Sequence, residues 1–342
     1  VSVTERPKAI VLLSGGLDSI LTARLLMDQG IPVHGVRFVT PFAGYGVLAR
    51  RQEEERFWLE RYGIPMRIVD LSEEYLGLLT APPHGFGKRF NPCIDCKILF
   101  LRKAKEMMAA TGASYVATGE VVGQRPMSQR HHTLRQIEKQ SGLAGYLLRP
   151  LTALRLPETE PERLGWVDRS RLEGISGRGR ERQYELARRF SIDPIPGPGG
   201  GCLLTDRTIA GRLFDLREGG RELTLTDALL ATRGRHFRLG PAATLVVGRD
   251  ERENGGIEKI AAGKETLLEA ADAEGPTACL VGGADDPATL RTAAALLLRY
   301  ADHPKGEEGR VTVTSPGGGR ETIEVRGMMP EEADACRIGM SK

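Results

Sequence analysis

The sequence contains no apolar run near the roughly 18–20 residues a membrane span needs, so no membrane association is expected. The stretch before Gly15 is apolar only briefly and leads into a glycine turn, so no signal peptide is expected. Its five cysteines are too few, and odd in number, for a disulfide scaffold. The cytoplasm is therefore the expected compartment. Charge of one sign is also missing: 48 Lys and Arg stand against 45 Asp and Glu. That excludes a polybasic tail protein but leaves room for local basic patches. There is no internal repeat and no low-complexity tract. What remains is 342 residues with 40% hydrophobic and 27% charged side chains, enough for about two globular domains with real cores.

Residues 8–13 read as a buried strand running into Ser14-Gly15-Gly16-Leu17-Asp18-Ser19, and 20–27 as a helix that stops at Gly30. Further strands are expected at 32–39, 66–71 and 114–118, with helices at 48–62 and 98–110. This alternation predicts an α/β fold, a doubly wound parallel sheet, over residues 1–150. Six prolines between Pro150 and Pro198, followed by Gly199-Gly200-Gly201, suggest an extended appendage at 151–210 that folds back onto the first domain. Residues 211–342 read as a smaller C-terminal α+β domain, with the boundary near 206–230. It has strands at 243–248 and 277–282, helices at 257–273 and 287–300, and a strand pair at 309–315 and 321–325.

Glycines between a strand and a helix let backbone N–H groups turn inward, and the helix N-terminus adds partial positive charge. Residues 14–19 therefore form an anion cradle, with Ser14, Gly15, Gly16 and Ser19 donating to phosphate. The Walker ending, Gly-Lys-Ser/Thr, is absent. Asp18 would repel phosphate, so Mg²⁺ between them is the natural reading. The alternative is a plain turn in which Asp18 serves the helix dipole. The hexapeptide resembles the PP-loop of the ATP-pyrophosphatase superfamily. That resemblance implies an adenine nucleotide alpha hydrolase-like fold, ATP cleaved between its α- and β-phosphates, and adenylation of a carbonyl oxygen.

Cys93 and Cys96 form a Cys-x-x-Cys pair before a helix, where the helix N-terminus and Lys97 favour thiolate. Cys202 follows the glycine run, which permits close approach of a bulky group. Cys279 reads as core filling, and Cys336 stands alone. Three readings stay open for the first three: zinc, with His84 or His131 as fourth ligand; a redox or persulfide pair; or an iron–sulfur cluster on three thiolates. The order of phosphate loop, Cys-x-x-Cys and one distant Cys resembles the cluster-dependent tRNA thiolases. It implies a [4Fe–4S] cluster on Cys93, Cys96 and Cys202, with sulfide on the open iron.

Residues 117–129 follow the fourth strand, where open α/β sheets bind ligands. Gly119 and Gly123 permit close backbone approach, and Glu120, Gln124, Ser128 and Gln129 offer polar groups; a helix cap with solvated amides is the alternative. Together with Arg149-Pro150-Leu151, this stretch resembles bacterial 4-thiouridine synthetases over about residues 8–205. The resemblance implies a metal or acid–base role for Glu120 near ATP and the target base, and Gly119 and Gln124 at the nucleotide. The sequence departs from that family with Glu and Arg-Pro-Met where Asp and Val-Ala are usual. With the loop at residue 14, RNA is expected to be held by something other than a preceding THUMP region.

Candidate RNA contacts are the run Arg125, Arg130, His131, His132 and Arg135, and the Arg/Gly segment with Arg178, Arg180 and Arg182. A solvated helix face paired through Glu181 and Glu185 is the alternative for the latter. Gly248-Arg249 through Asn254, followed by two helices, resembles the NFACT RNA-binding region and implies phosphate contacts from Arg249, Arg252 and Lys259. Otherwise this part serves stability or a homodimer. The sequence thus points to an ATP-dependent tRNA sulfurtransferase making 4-thiouridine with a [4Fe–4S] cluster, its sulfur supplied as sulfide or by a cysteine desulfurase. The alternatives are 2-thiouridine or persulfide chemistry, a small-molecule ligase, and a non-catalytic RNA-binding protein.

Overall fold

The computed structural model describes residues 7–197 and 202–339. They fall into two units, the first comprising 7–87 with 91–197 and the second Lys88–Phe90 with 202–339.

The first unit contains, in chain order, β1 (Lys8–Leu12), α1 (Leu17–Asp28), β2 (Val33–Val39), α2 (Arg51–Tyr62), β3 (Met66–Asp70) and α3 (Ser72–Thr80), then α4 (Cys93–Thr111), β4 (Ala113–Thr118), α5 (His131–Gln140), β5 (Leu147–Leu148), α6 (Glu160–Arg163) and α7 (Glu181–Arg189). The five strands are all parallel, in the order β3-β2-β1-β4-β5. Apolar residues alternate across the sheet as the pleat dictates. Ala9 and Val11 of β1 and Tyr115 and Ala117 of β4 pack with Leu17, Ile20 and Leu21 of α1 on one face. Ile10 and Val116 face the opposite way, into Ile98, Leu101 and Ala104 of α4 and Ile137 of α5. Burial on both faces explains the unbroken apolar run of β1, the central strand. Residues 151–197 add Val167, Leu172, Ile175, Leu186 and Ile192 to the α1-side core.

The strand order reverses direction at β1. The chain leaves β1 towards β2 and β3, then returns to place β4 on the other side. The crevice beyond the carboxyl ends of β1 and β4 is the topological switch point, where folds of this class bind ligands.

The second unit contains α8 (Arg207–Glu218), α9 (Leu225–Leu230), β6 (Arg235–Arg238), β7 (Thr244–Val247), α10 (Glu251–Ala261), β8 (Thr266–Ala270), β9 (Ala278–Val281), α11 (Pro287–Tyr300), β10 (Glu308–Thr314), β11 (Arg320–Arg326) and α12 (Pro330–Ala335). Its antiparallel sheet runs β11-β10-β8-β9-β7-β6. Leu245, Leu268 and Leu280 face α11, while Val246, Cys279 and Val281 face Ile257 and Ala261 of α10. The helix expected at 257–273 is replaced by a helix that starts earlier and a strand. Asp250 accepts from the Glu253 amide at 2.9 Å and starts α10 at 251. Gly263 adopts φ +68°, and Thr266–Ala270 pairs with both β9 and β10. Among the described residues, no helix is long and apolar enough to cross a membrane.

Candidate active site

The phosphate loop leaves β1 and enters α1 at the switch point. Gly15 has φ +85°, a left-handed conformation that glycine adopts freely, and Gly16 is the N-cap of α1. The Ser14 amide donates to Ser19 Oγ at 3.2 Å, and Ser19 Oγ donates to the Gly16 carbonyl at 2.8 Å. These bonds close the loop into a ring and leave Ser14 exposed. Asp18 accepts from Gln124 Nε2 on Oδ2 at 3.2 Å, while its Oδ1 is buried without a hydrogen-bond partner. An orphaned carboxylate oxygen in an anion cradle has the donor chemistry for a hard cation such as Mg²⁺.

Gly119, directly after β4, is the floor of the site. A Cβ there would lie 2.7 Å from the Asp18 carbonyl carbon and oxygen and 2.9 Å from the Ser19 nitrogen. Only a residue without a side chain fits. The segment after it is a turn stapled by backbone bonds: Gly123 N–H to the Gln129 carbonyl and Gly177 N–H to the Val122 carbonyl, both 2.8 Å. Residues 120–130 form no helix of their own; α5 begins at His131.

Glu120 is buried against two cations and a hydroxyl. Arg149 Nε donates to Oε2 at 3.0 Å, Thr118 Oγ1 donates to the same oxygen at 3.2 Å, and Lys97 Nζ donates to Oε1. Arg149 also donates to Glu138 Oε2 at 2.9 Å and to the Leu134 carbonyl. Burial alone would raise the Glu120 pKa, but the Lys97 ammonium and the Arg149 guanidinium outweigh it and hold the carboxyl at about 2. Glu120 is thus a fixed anion at neutral pH, unsuited to general-acid work.

Cys93 and Cys96 sit in the first turn of α4, both half-buried. Asn91 Nδ2 donates to Cys93 Sγ at 3.0 Å. Between the thiols, buried Asp95 takes the His84 ring Nδ1 at 2.6 Å and the His84 amide at 3.0 Å, which ties the preceding loop to the helix start. His84, one histidine considered as a fourth zinc ligand, therefore meets a carboxylate. Cys202 opens the second unit, and Gly199, Gly200 and Gly201 lie outside the described residues. None of the five cysteines is in a disulfide. Among the described residues, no three His, Cys, Asp or Glu side chains are gathered as a metal would require.

The candidate RNA contacts divide by their partners. Arg125 and Arg130 are exposed beside the turn. Arg178 and Arg180 follow Ser176, which is bridged to Val122, so the fold carries them to the same turn. Arg182 is committed to Glu173 and Glu185, both at 2.8 Å, and Arg249 to Glu253. Glu185 is thus a partner of the kind foreseen for a solvated face, whereas Glu173 comes from outside the helix. Sequence reasoning missed the Lys97–Glu120–Arg149–Glu138 network and also Arg37, which projects from β2 towards the loop. Their partners are too far apart in sequence to leave a spacing signal.

Residues 4–158 match the family model described as thiamine biosynthesis protein (ThiI), and residues 234–336 match that of the NFACT protein RNA binding domain. The tRNA-specific 2-thiouridylase MnmA of Geobacter metallireducens is 28% identical over 94% of this chain and 90% of its own length. That of Nitratidesulfovibrio vulgaris is 29% identical over 91% and 89%. Among solved structures, a 4-thiouridine synthetase–RNA complex with bound ATP aligns with TM-score 0.36 and 24% identity, covering 57% of this chain and 46% of that one.

Proposed function

We propose that this chain, a ThiI-like PP-loop domain followed by an NFACT-type RNA-binding domain, is an ATP-dependent tRNA sulfurtransferase that thiolates uridine. One observation carries this reading. The phosphate loop and the thiol pair belong to one connected site: Gly119 packs on the Asp18 backbone, Glu120 follows it, and Glu120 is salt-bridged to Lys97, the residue after Cys96. This connection supports a reading in which the group that activates a carbonyl through ATP and the group that delivers sulfur act in one site.

Ser14, Ser19 and the loop amides bind and orient the triphosphate, and Asp18 would hold its Mg²⁺, which would neutralise charge on the phosphates. The uridine carbonyl oxygen attacks the α-phosphorus, and pyrophosphate leaves. Sulfur then adds at the same ring carbon and AMP departs. Lys97 and Arg149, held by Glu120, keep positive charge beside the reacting groups. Cys93 and Cys96 have the soft-donor chemistry of a cluster site, with Cys202 as the proposed third ligand. A bound [4Fe–4S] cluster would supply an open iron for sulfide. RNA contacts are assigned to Arg125, Arg130, Arg178 and Arg180, with the second unit as a further RNA-binding surface. The uridine must leave its stack to reach the site.

The 4-thio product is the first choice because the ThiI model covers the ATP and thiol-pair segments together. Near full-length similarity to 2-thiouridylases favours the 2-thio product as the second. The test is anaerobic incubation of the protein with ATP, Mg²⁺, sulfide and unmodified tRNA, followed by nucleoside mass spectrometry and iron analysis. Expected are thiouridine, AMP and pyrophosphate, with thiouridine lost in Cys93→Ala, Cys96→Ala and Cys202→Ala while ATP binding persists. Absence of any thiouridine from iron-loaded and persulfide-loaded protein alike would overturn the proposal. Iron-free protein that still thiolates would remove the cluster only.

A further inference from the structure

We propose that Arg37 is a clamp for the outer phosphates of ATP, and that Glu54 and Trp58 hold it in place. This rests on the phosphate-loop reading above. Arg37 lies near the carboxyl end of β2, the strand beside β1, and the chain entering the loop runs next to it through the Leu13 amide bond to the Val36 carbonyl at 2.8 Å. Its guanidinium overhangs the glycine turn. Nη2 lies 3.7 Å from where a Cβ on Gly15 would sit and 3.6 Å from where one on Gly44 would sit. Those two glycines, both in the left-handed region, leave space on either side of the cation.

The cation is oriented. Nη1 donates to Glu54 Oε1 at 2.7 Å, and the same carboxylate oxygen accepts the Trp58 indole N–H at 3.1 Å. Trp58 is buried in the core, so the chain from Trp58 through Glu54 to Arg37 starts from a rigid point. Glu54 occupies one nitrogen only. Among the described residues Nη2 has no hydrogen-bond partner and faces the loop mouth. A guanidinium with one edge tied and one edge open suits a phosphate oxygen. The loop amides at the α1 N-terminus cradle the phosphate chain, so a cation standing over Gly15 meets the β- and γ-phosphates that the glycine turn holds. It therefore also faces the pyrophosphate that leaves. A purely structural role, tying β2 to α2, would need the Glu54 contact but no open edge towards the loop.

The test is calorimetric binding of two ligands, AMP and an ATP analogue with a methylene bridge between its α- and β-phosphates, both with Mg²⁺. Arg37→Gln is expected to weaken the analogue about 10- to 100-fold, the range of a lost charged hydrogen bond, and to leave AMP within about twofold. Glu54→Gln keeps the cation but loosens it, and is expected to weaken the analogue about three- to tenfold, again sparing AMP. Arg37→Lys should fall between wild type and Arg37→Gln. Unchanged analogue affinity in folded Arg37→Gln, or equal loss of both ligands in both variants, would overturn the clamp while leaving the phosphate loop in place. If the wild type binds neither ligand, the phosphate-loop reading fails and the clamp with it.

Discussion

Replacing Glu120 with Gln removes the anion shared by Lys97 and Arg149 while keeping the side chain's size. Arg149 is almost fully buried and would keep Glu138 as its remaining carboxylate partner. Lys97 is more exposed and can turn to solvent. Removing one partner of a buried ion pair costs about 3–5 kcal/mol, and the retained Glu138 contact argues for the lower end. Linkage gives a similar figure. The carboxyl titrates at about 2 in the folded protein against an ordinary 4.5, a difference worth about 3 kcal/mol. The sign follows from the depressed pKa: this stabilisation is complete above about pH 4.5 and is lost as pH falls towards 2. Calorimetry of wild type and Glu120→Gln should therefore show the first unit's transition lowered by about 6–12 °C at pH 7 and pH 5, with the gap narrowing below pH 4. A shift under about 2 °C at pH 7, or one independent of pH down to pH 3, would refute the network's energetic role. A double-mutant cycle with Lys97→Met should be clearly non-additive, since the two side chains touch.

Gly119→Ala places a methyl group against the Asp18 backbone; denaturant unfolding should show a loss of about 1–3 kcal/mol, and ATP affinity should fall more than in any substitution of nearby exposed residues. His236 is buried, and that burial, together with the Arg212 guanidinium, lowers its pKa to about 3 despite carbonyl contacts from Leu230 and Arg233. Because the unfolded chain takes up the proton first, the second unit should lose up to about 1.4 kcal/mol per pH unit from pH 6.5 downwards, and His236→Gln should flatten that slope in urea titrations. Cys279→Ala should lower the second unit's stability by about 1 kcal/mol and leave thiolation at wild-type rate, in contrast to Cys93→Ala. Loss of activity on that change would contradict its assignment to the core.

The parallel sheet was legible because β1 is an apolar run that ends in a glycine turn and β4 is a largely apolar run that ends at Gly119, as burial on both faces demands; β2 interrupts its apolar residues with His34 and Arg37. The phosphate loop was legible for a related reason: its chemistry is confined to six consecutive residues. The strand at Thr266–Ala270 was not, because Thr-Leu-Leu-Glu-Ala has no strand preference of its own. Pairing with β9 and β10 decides it, and Gly263 cuts it from α10. The proline-rich texture of residues 151–197 obscured how many of their apolar side chains enter the α1-side core. The charged network was hidden because Lys97 and Glu120 are 23 residues apart and Glu120 and Arg149 are 29 apart. Arg37 and Glu54 are separated by 17 residues and lie on different elements. Pairing at such separations is a product of topology, which a local pattern does not encode.

The close approach of Gly119 to Asp18 has a consequence for how this site can diverge. The floor under the phosphate cradle is a stretch of main chain, and main chain has the same shape whatever side chains flank it. Sequence drift at the exposed positions of the turn that follows, Arg125 to Met127 and Arg130, can therefore retune what the neighbouring surface accepts without disturbing the cradle, so long as position 119 stays without a side chain and Gln124 keeps its bond to Asp18. One nucleotide-handling frame can thus serve a succession of acceptors, and a library randomised at the exposed Arg125, Pro126, Met127 and Arg130, with Gly119, Glu120 and Gln124 held constant, should retain nucleotide binding far more often than one that varies position 119 alone.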